Sequence, residues 1–528
     1  MSHSGSAWKE WIFTTDHKRV GILYLIGSIT AFVVAGIMAL MMRIELSAPG
    51  GQIGSAQDYN VWLYTHGAVM ILGFQIPALT GFFANYCVPL MIGARDVAFP
   101  RVNALSVWLF YAGVIVALLT FFIPDPPDLM WTGYPPYSIL TSGNTSYYTF
   151  TVLLLGFASI AGGVNFITTI IKMRAPGMGW NQLNIFVWCT FAAFLLQVIF
   201  VPVLGTAVTM ITFDKYLGTS FFNPANGGDV LIYQNIFWFY SHPAVYVIFL
   251  PFIGVVFEIV ATFARNQIFN YKVCVYGGVW GIVLLAGEVW VHHNYATGLP
   301  DWLRVGMMVT TLLISVPVGL MVISLVGTLH KGSISFETPM LYAIGFMFLF
   351  LIGGLTGIPL AMVSLDLGFH DNWFVTAHFH YVMAVSGTFA IIGGVYYFFP
   401  NFTGKMYNEA LGKLGFLLNL IGVNVVFGIM FTVGLEGYPR RYFDYQQFAE
   451  MQGANGQMTY GAYFVAAGTA VMIINWLHGA IAGKPCGMNP WKSQSLEWHT
   501  PKMPPGHGNW GPNLPQIAPD WSPYGYNK

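Results

Sequence analysis

Long apolar stretches alternate with short polar connections along nearly the whole chain. A helix needs about 20 apolar residues to cross the hydrocarbon core of a bilayer. We count twelve such stretches, at about 20–42, 64–91, 103–123, 148–171, 184–212, 235–262, 273–294, 305–328, 339–362, 374–399, 412–434 and 459–481. The polar segment before the first stretch lacks the layout of a cleavable signal. The pattern predicts an all-α, polytopic membrane protein with twelve transmembrane helices.

No charge-rich tract and no Gly/Ser-rich linker divides these stretches. We therefore expect a single membrane domain over residues 1–528, with its twelve helices within about 20–481. Residues 483–528 form a short polar tail that is rich in Pro, Gly and Trp. This tail is expected to pack on the cytoplasmic, membrane-facing side without forming a domain of its own.

The composition excludes the soluble classes of protein. The chain has 528 residues, of which 56% are hydrophobic and only 8% are charged, whereas a soluble globular protein carries about 25% charged residues. A nucleic-acid binder would need a basic excess, but the formal net charge is +0. The four cysteines show no CxxC or CxxH spacing, so neither a disulfide framework nor a thiolate metal site is predicted.

The basic residues are divided unequally between the two sides of the membrane. With an even number of spans both termini lie on one side, and sixteen of the twenty-one Lys and Arg residues, Lys528 among them, fall there. Basic residues are retained on the cytoplasmic side, so both termini are predicted to be cytoplasmic, in a bacterial or archaeal plasma membrane. Five basic residues remain on the other side: Arg43, Lys215, Arg304, Arg440 and Arg441.

Histidines are the unusual polar residues of the apolar stretches. Ionisable groups at membrane depth are costly and indicate function. One helix histidine alone is usually structural, but six without matching carboxylates favour metal ligands, because imidazole binds copper and haem iron. The six are His66, His242, His292, His293, His378 and His380.

The spacing of these histidines suggests how they meet metals. His378 and His380 lie about 200° apart around a helix, so that one helix could ligate two metal centres on opposite faces. His292 and His293 are adjacent and could meet one metal only in a distorted or terminal turn. Tyr246 follows His242 by four residues, which places both on one helix face.

Specific motifs surround these histidines: Tyr64-Thr65-His66-Gly67, Trp238-Phe239-Tyr240-Ser241-His242-Pro243, Trp290-Val291-His292-His293, His370-Asp371, Ala377-His378-Phe379-His380-Tyr381 and Pro439-Arg440-Arg441-Tyr442. With them the chain resembles subunit I of the haem–copper oxygen reductases of the cytochrome c oxidase type. The resemblance extends from Thr14 to Trp498. It implies an oxidoreductase and proton translocase of the aerobic respiratory chain, which reduces O2 to water.

The resemblance implies two haems, of the a type. His66 and His380 correspond to the axial ligands of a low-spin haem, and His378 to the single protein ligand of a high-spin haem. Arg43 corresponds to the arginine that hydrogen-bonds the formyl group of haem A. Its alternative role is that of a residue anchoring the helix at the membrane interface.

The resemblance also implies one copper ion that faces the high-spin haem. His242, His292 and His293 correspond to its three ligands. Tyr246 corresponds to the catalytic tyrosine that is covalently joined to His242 and supplies an electron and a proton for O–O cleavage.

Further residues correspond to binding groups on the outer side. Arg440 and Arg441 resemble the pair that holds haem propionates, and Trp131 the residue that passes electrons inward from the dinuclear copper of subunit II. His370 and Asp371 resemble ligands of Mg2+ or Mn2+ at the interface with subunit II.

The resemblance also implies a peripheral cation site. Glu45 resembles a ligand of Ca2+ or Na+. Phe443, however, stands where the family usually has a small polar residue.

One proton pathway of the family has matching residues in this chain. It would begin at Asp96, in the loop after the second span, and continue along Asn85, Asn103 and Asn165, with Ser159 and Tyr24 as further candidates. The glutamate that usually ends this pathway is absent, since Ala244 occupies its position. In the subgroup without it, the hydroxyls that correspond to Tyr240 and Ser241 relay protons through water.

The second pathway of the family lacks its lysine here, because Met321 occupies that position. A thioether cannot relay protons. Our hypothesis is that Glu258 and Glu288, with Thr311 or Ser315, carry protons to Tyr246 instead. It assumes that Glu288 lies one turn from His292 on the same helix face. The alternative is that Glu288 is a neutral structural group.

The resemblance further implies partner subunits: subunit II with its dinuclear copper site, subunit III and small subunits. The first span carries no charged residues between Thr30 and Met42, which favours a soluble donor, cytochrome c or a cupredoxin, over a quinol. A quinol oxidase and a nitric oxide reductase-like enzyme remain alternatives. Tyr246 and Asp96 argue against the latter.

Overall fold

The computed structural model describes residues 7–526, in which the regular structure is helical apart from two isolated β-bridges. Eleven helices are long and apolar enough to cross a membrane, and a twelfth apolar helix is shorter. We label them α1–α12 in chain order: His17–Glu45, Ala56–Met91, Pro100–Phe122, Thr145–Lys172, Ile185–Tyr216, Val230–Ala264, Val273–Glu288, Asp301–Leu329, Thr338–Ala361, Trp373–Thr403, Glu409–Leu435 and Gln446–Ala482. The predicted all-α, polytopic class is confirmed. Lys528 lies outside the described residues.

The seventh stretch departs from the prediction of one helix over 273–294. It consists of a π-helix over Val273–Val279, an α-helix over Trp280–Leu285 and a 3-10 turn over Ala286–Glu288. The backbone of Val289, at φ −132° and ψ −5°, then ends the helix. A separate 3-10 turn over Trp290–Asn294 follows.

Three other spans are interrupted. α2 contains π-helices over Val69–Gln75 and Pro77–Phe83, and α10 contains one over His380–Val385. α8 is divided at Ile314 into the segments Asp301–Leu313 and Ser315–Leu329. Such π-turns are frequent at functional sites. The shorter helices outside the spans are Ala7–Ile12, Tyr137–Leu140, Val363–Phe369, Trp180–Gln182, Pro224–Asn226 and Leu496–Trp498.

Polar residues at the ends of the apolar stretches start the helices. The carboxylate of Asp16 accepts hydrogen bonds from the first amides of α1. Ser55 and Asp58 cap the start of α2 reciprocally, and Asp229 caps α6. Each cap satisfies amide groups that have no partner inside the helix, so the helices begin where the apolar pattern begins.

α6 is the central helix of the bundle. In its most apolar segment 94% of the residues are buried within the chain, whereas in the corresponding segment of α12 only 22% are buried. It contacts α5, α8, α9, α10 and the turn Trp290–Asn294. Polar side chains on α6 therefore lie in the interior, beside several helices at once.

The C-terminal tail covers one end of the bundle. Asn509 bonds to His17 and donates to the Ala94 carbonyl at 2.9 Å, and the Tyr524 hydroxyl donates to Glu258 at 2.6 Å. The indole of Trp498 is buried and donates to a tyrosine hydroxyl at 3.0 Å. The tail thus packs on the helices by buried polar contacts as well as by apolar ones.

Candidate functional site

Three histidines form a cluster beside α6. His242 lies on α6, and His292 and His293 lie on the 3-10 turn that follows the end of α7. Their candidate ligand atoms all lie within 4.8 Å of one another, and no other group of three or more potential ligands is found among residues 7–526. The short turn allows two adjacent imidazoles to face one point, which a regular helix does not. The cluster fits the three ligands of one metal ion.

Hydrogen bonds select which nitrogen of His292 faces the cluster. Its Nδ1 lies 3.1 Å from Thr311 Oγ1, whose hydroxyl donates to the Met307 carbonyl at 2.6 Å. Thr311 Oγ1 therefore accepts the Nδ1 proton, which leaves Nε2 of His292 as the ligand atom. Partners of this kind orient metal-binding histidines. The sequence suggested Thr311 as a proton carrier, whereas the structure gives it this orienting contact.

His242 presents its two ring nitrogens to different groups. Nδ1 lies 3.2 Å from His293 Nε2; both atoms point into the cluster, as two ligands of one ion would. Nε2 is buried and has no hydrogen-bond partner among the described residues. The ring of Tyr246, one turn along α6, lies with its centroid 4.8 Å from that of His242. The unpartnered nitrogen fits the covalent bond that the resemblance implies.

His66 and His380 face each other across a narrow gap. Their rings are nearly parallel, at 7°, with centroids 6.5 Å apart. His66 Nδ1 bonds to the Ala35 carbonyl at 3.0 Å, and His380 Nδ1 to the Thr376 carbonyl at 2.7 Å. Because these bonds hold the Nδ1 protons, the Nε2 lone pairs are free. The pair fits the axial ligation of a haem iron.

His378 faces the opposite side of α10, towards α9. Its Nδ1 bonds to the Gly353 carbonyl at 2.9 Å. A Cβ at Gly357 would lie 2.9 Å from His378 Cε1, so the ring needs a glycine there. His380 instead stacks on Phe427 of α11, at 4.2 Å. The structure thus places the two histidines on opposite faces, as their spacing predicts.

Aromatic rings connect the two histidine sites. The indole of Trp238 stacks on His293, with centroids 3.6 Å apart and planes at 8°, and its Nε1 donates to the Tyr134 hydroxyl. Trp131 meets Trp238 edge to face at 6.0 Å. A Cβ at Gly67, next to His66, would lie 3.3 Å from Trp131. Trp131 therefore lies between Trp238, which stacks on His293, and Gly67, which adjoins His66.

The paired arginines occupy different electrostatic environments. Arg440 donates to the Asp371 carboxylate. Burial and the neighbouring Arg440 charge lower the pKa of Arg441 to about 10. A buried cation with a like charge beside it favours an anionic partner, and haem propionates fit this need.

His370 and Asp371 lie next to these arginines. His370 Nδ1 bonds to Asp366 at 3.0 Å, and this bond raises the pKa of His370. Its other nitrogen, Nε2, lies 3.9 Å from Asp371 Oδ2. Burial is the largest single influence on Asp371 and raises its pKa, but the charge and hydrogen bond of Arg440, together with the charges of Arg441 and His370, lower the net pKa. The Nε2 and Oδ2 atoms fit two ligands of a hard divalent ion.

Two residues at the C-terminal end of α1 differ in how many of their polar atoms have hydrogen-bond partners. Arg43 is buried; it donates to Asn455 Oδ1 at 2.7 Å, and its Nε has no partner among the described residues. Glu45 is also buried, but its carboxylate accepts three backbone amides, of Gln52, Ile53 and Gly54, at 2.8–3.1 Å. Arg43 can therefore hydrogen-bond a bound group. The contacts of Glu45 close the loop that follows α1.

The predicted polar route lies at the tail-covered end of α2 and α3. Asp96 is half-buried, and burial raises its pKa to about 6 against the lowering effect of the Val97 amide. Asn103 donates to Asn85 Oδ1 at 2.6 Å. Asn165 instead accepts from the Phe99 amide at 2.8 Å and donates back to its carbonyl. Asn165 thus shapes the loop that carries Asp96.

Two sets of hydroxyl-bearing residues continue the route towards the interior. The Tyr24 hydroxyl donates to Ser106 at 3.0 Å, close to Asn103. Further inward, Tyr240 lines a cavity of about 480 Å³ that Ala244 also lines. The hydroxyl of Ser241 is buried without a partner among the described residues.

The structure corrects the premise for Glu288. Because the backbone breaks at Val289, Glu288 and His292 do not share a helix face, and the Glu288 side chain is exposed on the surface of this chain. Glu258 is buried and accepts from Asn184, the Phe186 amide and Tyr524. Met321 is fully buried, and a Cβ at Gly278 would lie 2.5 Å from it. The expected chain of carriers to Tyr246 is therefore not assembled.

Comparisons with known proteins agree with the motifs. The sequence model of the family "Cytochrome C and Quinol oxidase polypeptide I" matches residues 19–474. Cytochrome c oxidase subunit 1 of Synechocystis sp. is 42% identical over 505 residues, covering 95% of this chain and 91% of that protein. The protein of the same name from Thermostichus vulcanus is 41% identical over 525 residues, covering 98% and 94%.

A solved structure supports the fold. A chain of a heme-copper terminal oxidase dimer, determined by cryo-EM, superposes with a TM-score of 0.77 at 18% identity, covering 89% of this chain and 85% of that chain. At this identity the structural similarity supports the fold alone. Membership of the family is shown by the match to the family model and by the two similar sequences. The chain belongs to the subunit I family of the cytochrome c and quinol oxidases, the haem–copper oxidases, and is a multi-pass membrane oxidoreductase.

Proposed function

We propose that this chain is the catalytic subunit of a terminal respiratory oxidase that reduces O2 to water and pumps protons. The observation that carries the proposal is the histidine cluster, whose ligand atoms lie within 4.8 Å of one another. It is accompanied by His378, on the one helix that also carries His380. Two haems and one copper ion, when bound, supply O2 binding and electron transfer.

The residues around the cluster hold and orient these groups. Thr311 and Trp238 fix the imidazoles of His292 and His293, so that a metal meets ligands already in place. Tyr246 is the catalytic residue, bonded to His242 through Nε2. Its phenol is buried and lies where it can give a proton and an electron to the reacting oxygen.

The remaining polar groups hold the periphery of the haems. Arg440 and Arg441 would bind propionates, and the unpartnered Nε of Arg43 would donate to the formyl group of an a-type haem. His370 and Asp371 bind Mg2+ or Mn2+ at the face for subunit II. Trp131 would pass electrons inward from the dinuclear copper of that subunit.

Protons enter from the cytoplasmic side at Asp96. They move along the polar groups near Asn85 and Asn103, with Asn165 shaping the mouth, and reach water at Tyr240 and Ser241. The raised pKa of Asp96, about 6, suits a group that exchanges protons near neutral pH. The buried Met321 leaves this as the one route that we propose.

We also propose the setting of the enzyme. Residues 1–528 form one membrane domain in a bacterial or archaeal plasma membrane, with both termini and the tail cytoplasmic. The chain works with subunit II, subunit III and small subunits. Electrons come from cytochrome c or a cupredoxin, since no charged residue lies between Thr30 and Met42 to receive a quinol.

The experiment is O2 consumption by the purified complex, with reduced cytochrome c, a cupredoxin or a quinol as the donor. We expect consumption with a soluble donor, with medium acidification outside sealed vesicles. Turnover with a quinol but with neither soluble donor would contradict the proposed donor and identify a quinol oxidase. Reduction of nitric oxide without O2 consumption, with iron instead of copper at the cluster, would overturn the function.

A further inference from the structure

A glutamine lies at membrane depth in the interior of the bundle. Gln197 lies in α5, a predominantly apolar helix, and only 2% of the surface of this residue is exposed. Its Oε1 atom is buried without a hydrogen-bond partner among the described residues. A buried polar atom that makes no hydrogen bond costs free energy, and leucine would fill a similar volume without this cost. The amide therefore calls for a ligand.

Two cavities meet at this side chain. The smaller, of about 30 Å³, is lined by Tyr24, Asn85 and Ser106 among others. The larger, of about 480 Å³, is lined by Tyr240 and Ala244. Among the described residues, only two polar ones, Gln197 and Ser159, line both cavities. The amide thus lies at the junction between the Asn85 end of the route and the Tyr240 end.

The dimensions and the chemistry of the junction suit water. A site for one water molecule needs about 10–15 Å³ and two to four polar partners. The smaller cavity exceeds this volume, and Gln197 Oε1 with the hydroxyls of Ser159 and Tyr240 supplies acceptors and donors along the two cavities. Most of the larger cavity wall is apolar, so water has few other places at which to be held.

We propose that Gln197 is a positioning residue that anchors the water connecting the Asn85 segment to Tyr240. The amide does not itself gain or lose a proton. It accepts a hydrogen bond from a water molecule through Oε1, and so keeps the chain of water molecules continuous across a junction whose walls are mostly apolar. This inference rests on the proposed route from Asp96.

The test compares three variants of the full complex with the wild type. Gln197→Leu removes the amide at similar volume, Gln197→Glu keeps the acceptor oxygens, and Leu196→Met changes the neighbouring cavity wall without changing its polarity. Haem spectra first establish that each variant is folded and loaded. The readouts are the rate of proton uptake on oxidation by O2, the rate of carbon monoxide rebinding after a flash, and cryo-EM density for water beside residue 197.

The proposal predicts that Gln197→Leu slows proton uptake about tenfold, the effect of roughly one lost hydrogen bond, and removes the water density. Carbon monoxide rebinding stays unchanged, while Gln197→Glu restores uptake and Leu196→Met behaves as the wild type. Absence of water at Oε1 in the wild type would overturn the proposal. So would a change in carbon monoxide rebinding without a change in uptake, since the cavity would then serve the gas.

Asp96→Asn separates this inference from the proposed route. If Asp96→Asn is slow and Gln197→Leu is normal, the route stands and the role of Gln197 is wrong. If Asp96→Asn is itself normal, the route fails and the inference fails with it.

Discussion

The imidazole of His293 lies flat on the indole of Trp238, with ring centroids 3.6 Å apart and planes at 8°. The indole Nε1 is in turn held by the Tyr134 hydroxyl. One face of a proposed copper ligand is therefore fixed by a ring that is itself fixed. Rotation of His293 out of this plane would break the stacking contact with Trp238.

Replacing Trp238 with leucine is expected to weaken copper binding by about 10–100-fold, the usual effect of removing an orienting partner of a metal ligand. Copper retained after dialysis against a graded chelator measures this. Trp302→Leu is the control, because Trp302 is 75% exposed. Equal copper retention in the two variants would mean that the stacking does not orient the ligand.

Gly357→Ala is expected to disturb the high-spin haem alone. The added Cβ would lie 2.9 Å from His378 Cε1, so the ring has to leave its position. We expect loss of the carbon monoxide-binding haem signal with the low-spin signal intact. Gly354→Ala is the matched control on the same helix, since a Cβ there meets nothing within 4 Å. A normal carbon monoxide spectrum in Gly357→Ala would contradict the placement of this haem.

Asp96→Asn is expected to reduce proton uptake and turnover by about 100-fold or more, because general acid–base groups contribute about 10²–10⁴-fold. The asparagine keeps the shape of the loop and can still meet the Val97 amide. Stopped-flow uptake with a pH dye checks the rate, and Lys9→Gln, at an exposed position, serves as the control. Turnover at the wild-type rate would show that protons enter elsewhere.

Glu497 is expected to make the tail contact sensitive to pH. Burial, and next the Glu258 charge, raise the pKa of Glu497 from 4.5 to about 8; Cys87 and Tyr397 are the other titratable groups near it. The folded state therefore binds more protons than the unfolded state between these values. Its stability falls as pH rises through this window and levels off above about pH 8.

Thermal midpoints of the complex between pH 4.5 and 8 test this difference. Relative to Glu497→Gln, which has no such titration, the wild type should lose stability as the pH increases. The amide of the variant can still accept the hydrogen bond from Ser495. Parallel curves for the two proteins would mean that Glu497 is ionised when folded.

The apolar pattern was sufficient for the helical class and for eleven of the long spans, because membrane helices are selected by length and hydropathy. It failed at the seventh, where Val289 breaks a helix inside an apolar stretch. The adjacency of His292 and His293 did predict a distorted turn, since one metal cannot otherwise be reached by both.

The proposed metal ligands could be identified from the sequence, but the residues that position them could not. Thr311 is nineteen residues from His292 and on another helix, and Gly357 precedes His378 by twenty-one residues. Gln197 is a single polar residue in an apolar run, and only the cavities on either side of it give it significance. Such contacts arise from helix packing, which a pattern along one chain does not contain. The same limit led to the wrong helix face for Glu288.

The central claim is that His242, His292 and His293 hold copper opposite the haem of His378. The most direct test is metal and haem analysis of the purified complex with and without His292→Asn. The account predicts that the variant loses one copper per two haems and keeps both haems and any copper of subunit II. An unchanged copper content, or loss of a haem in place of copper, would contradict it.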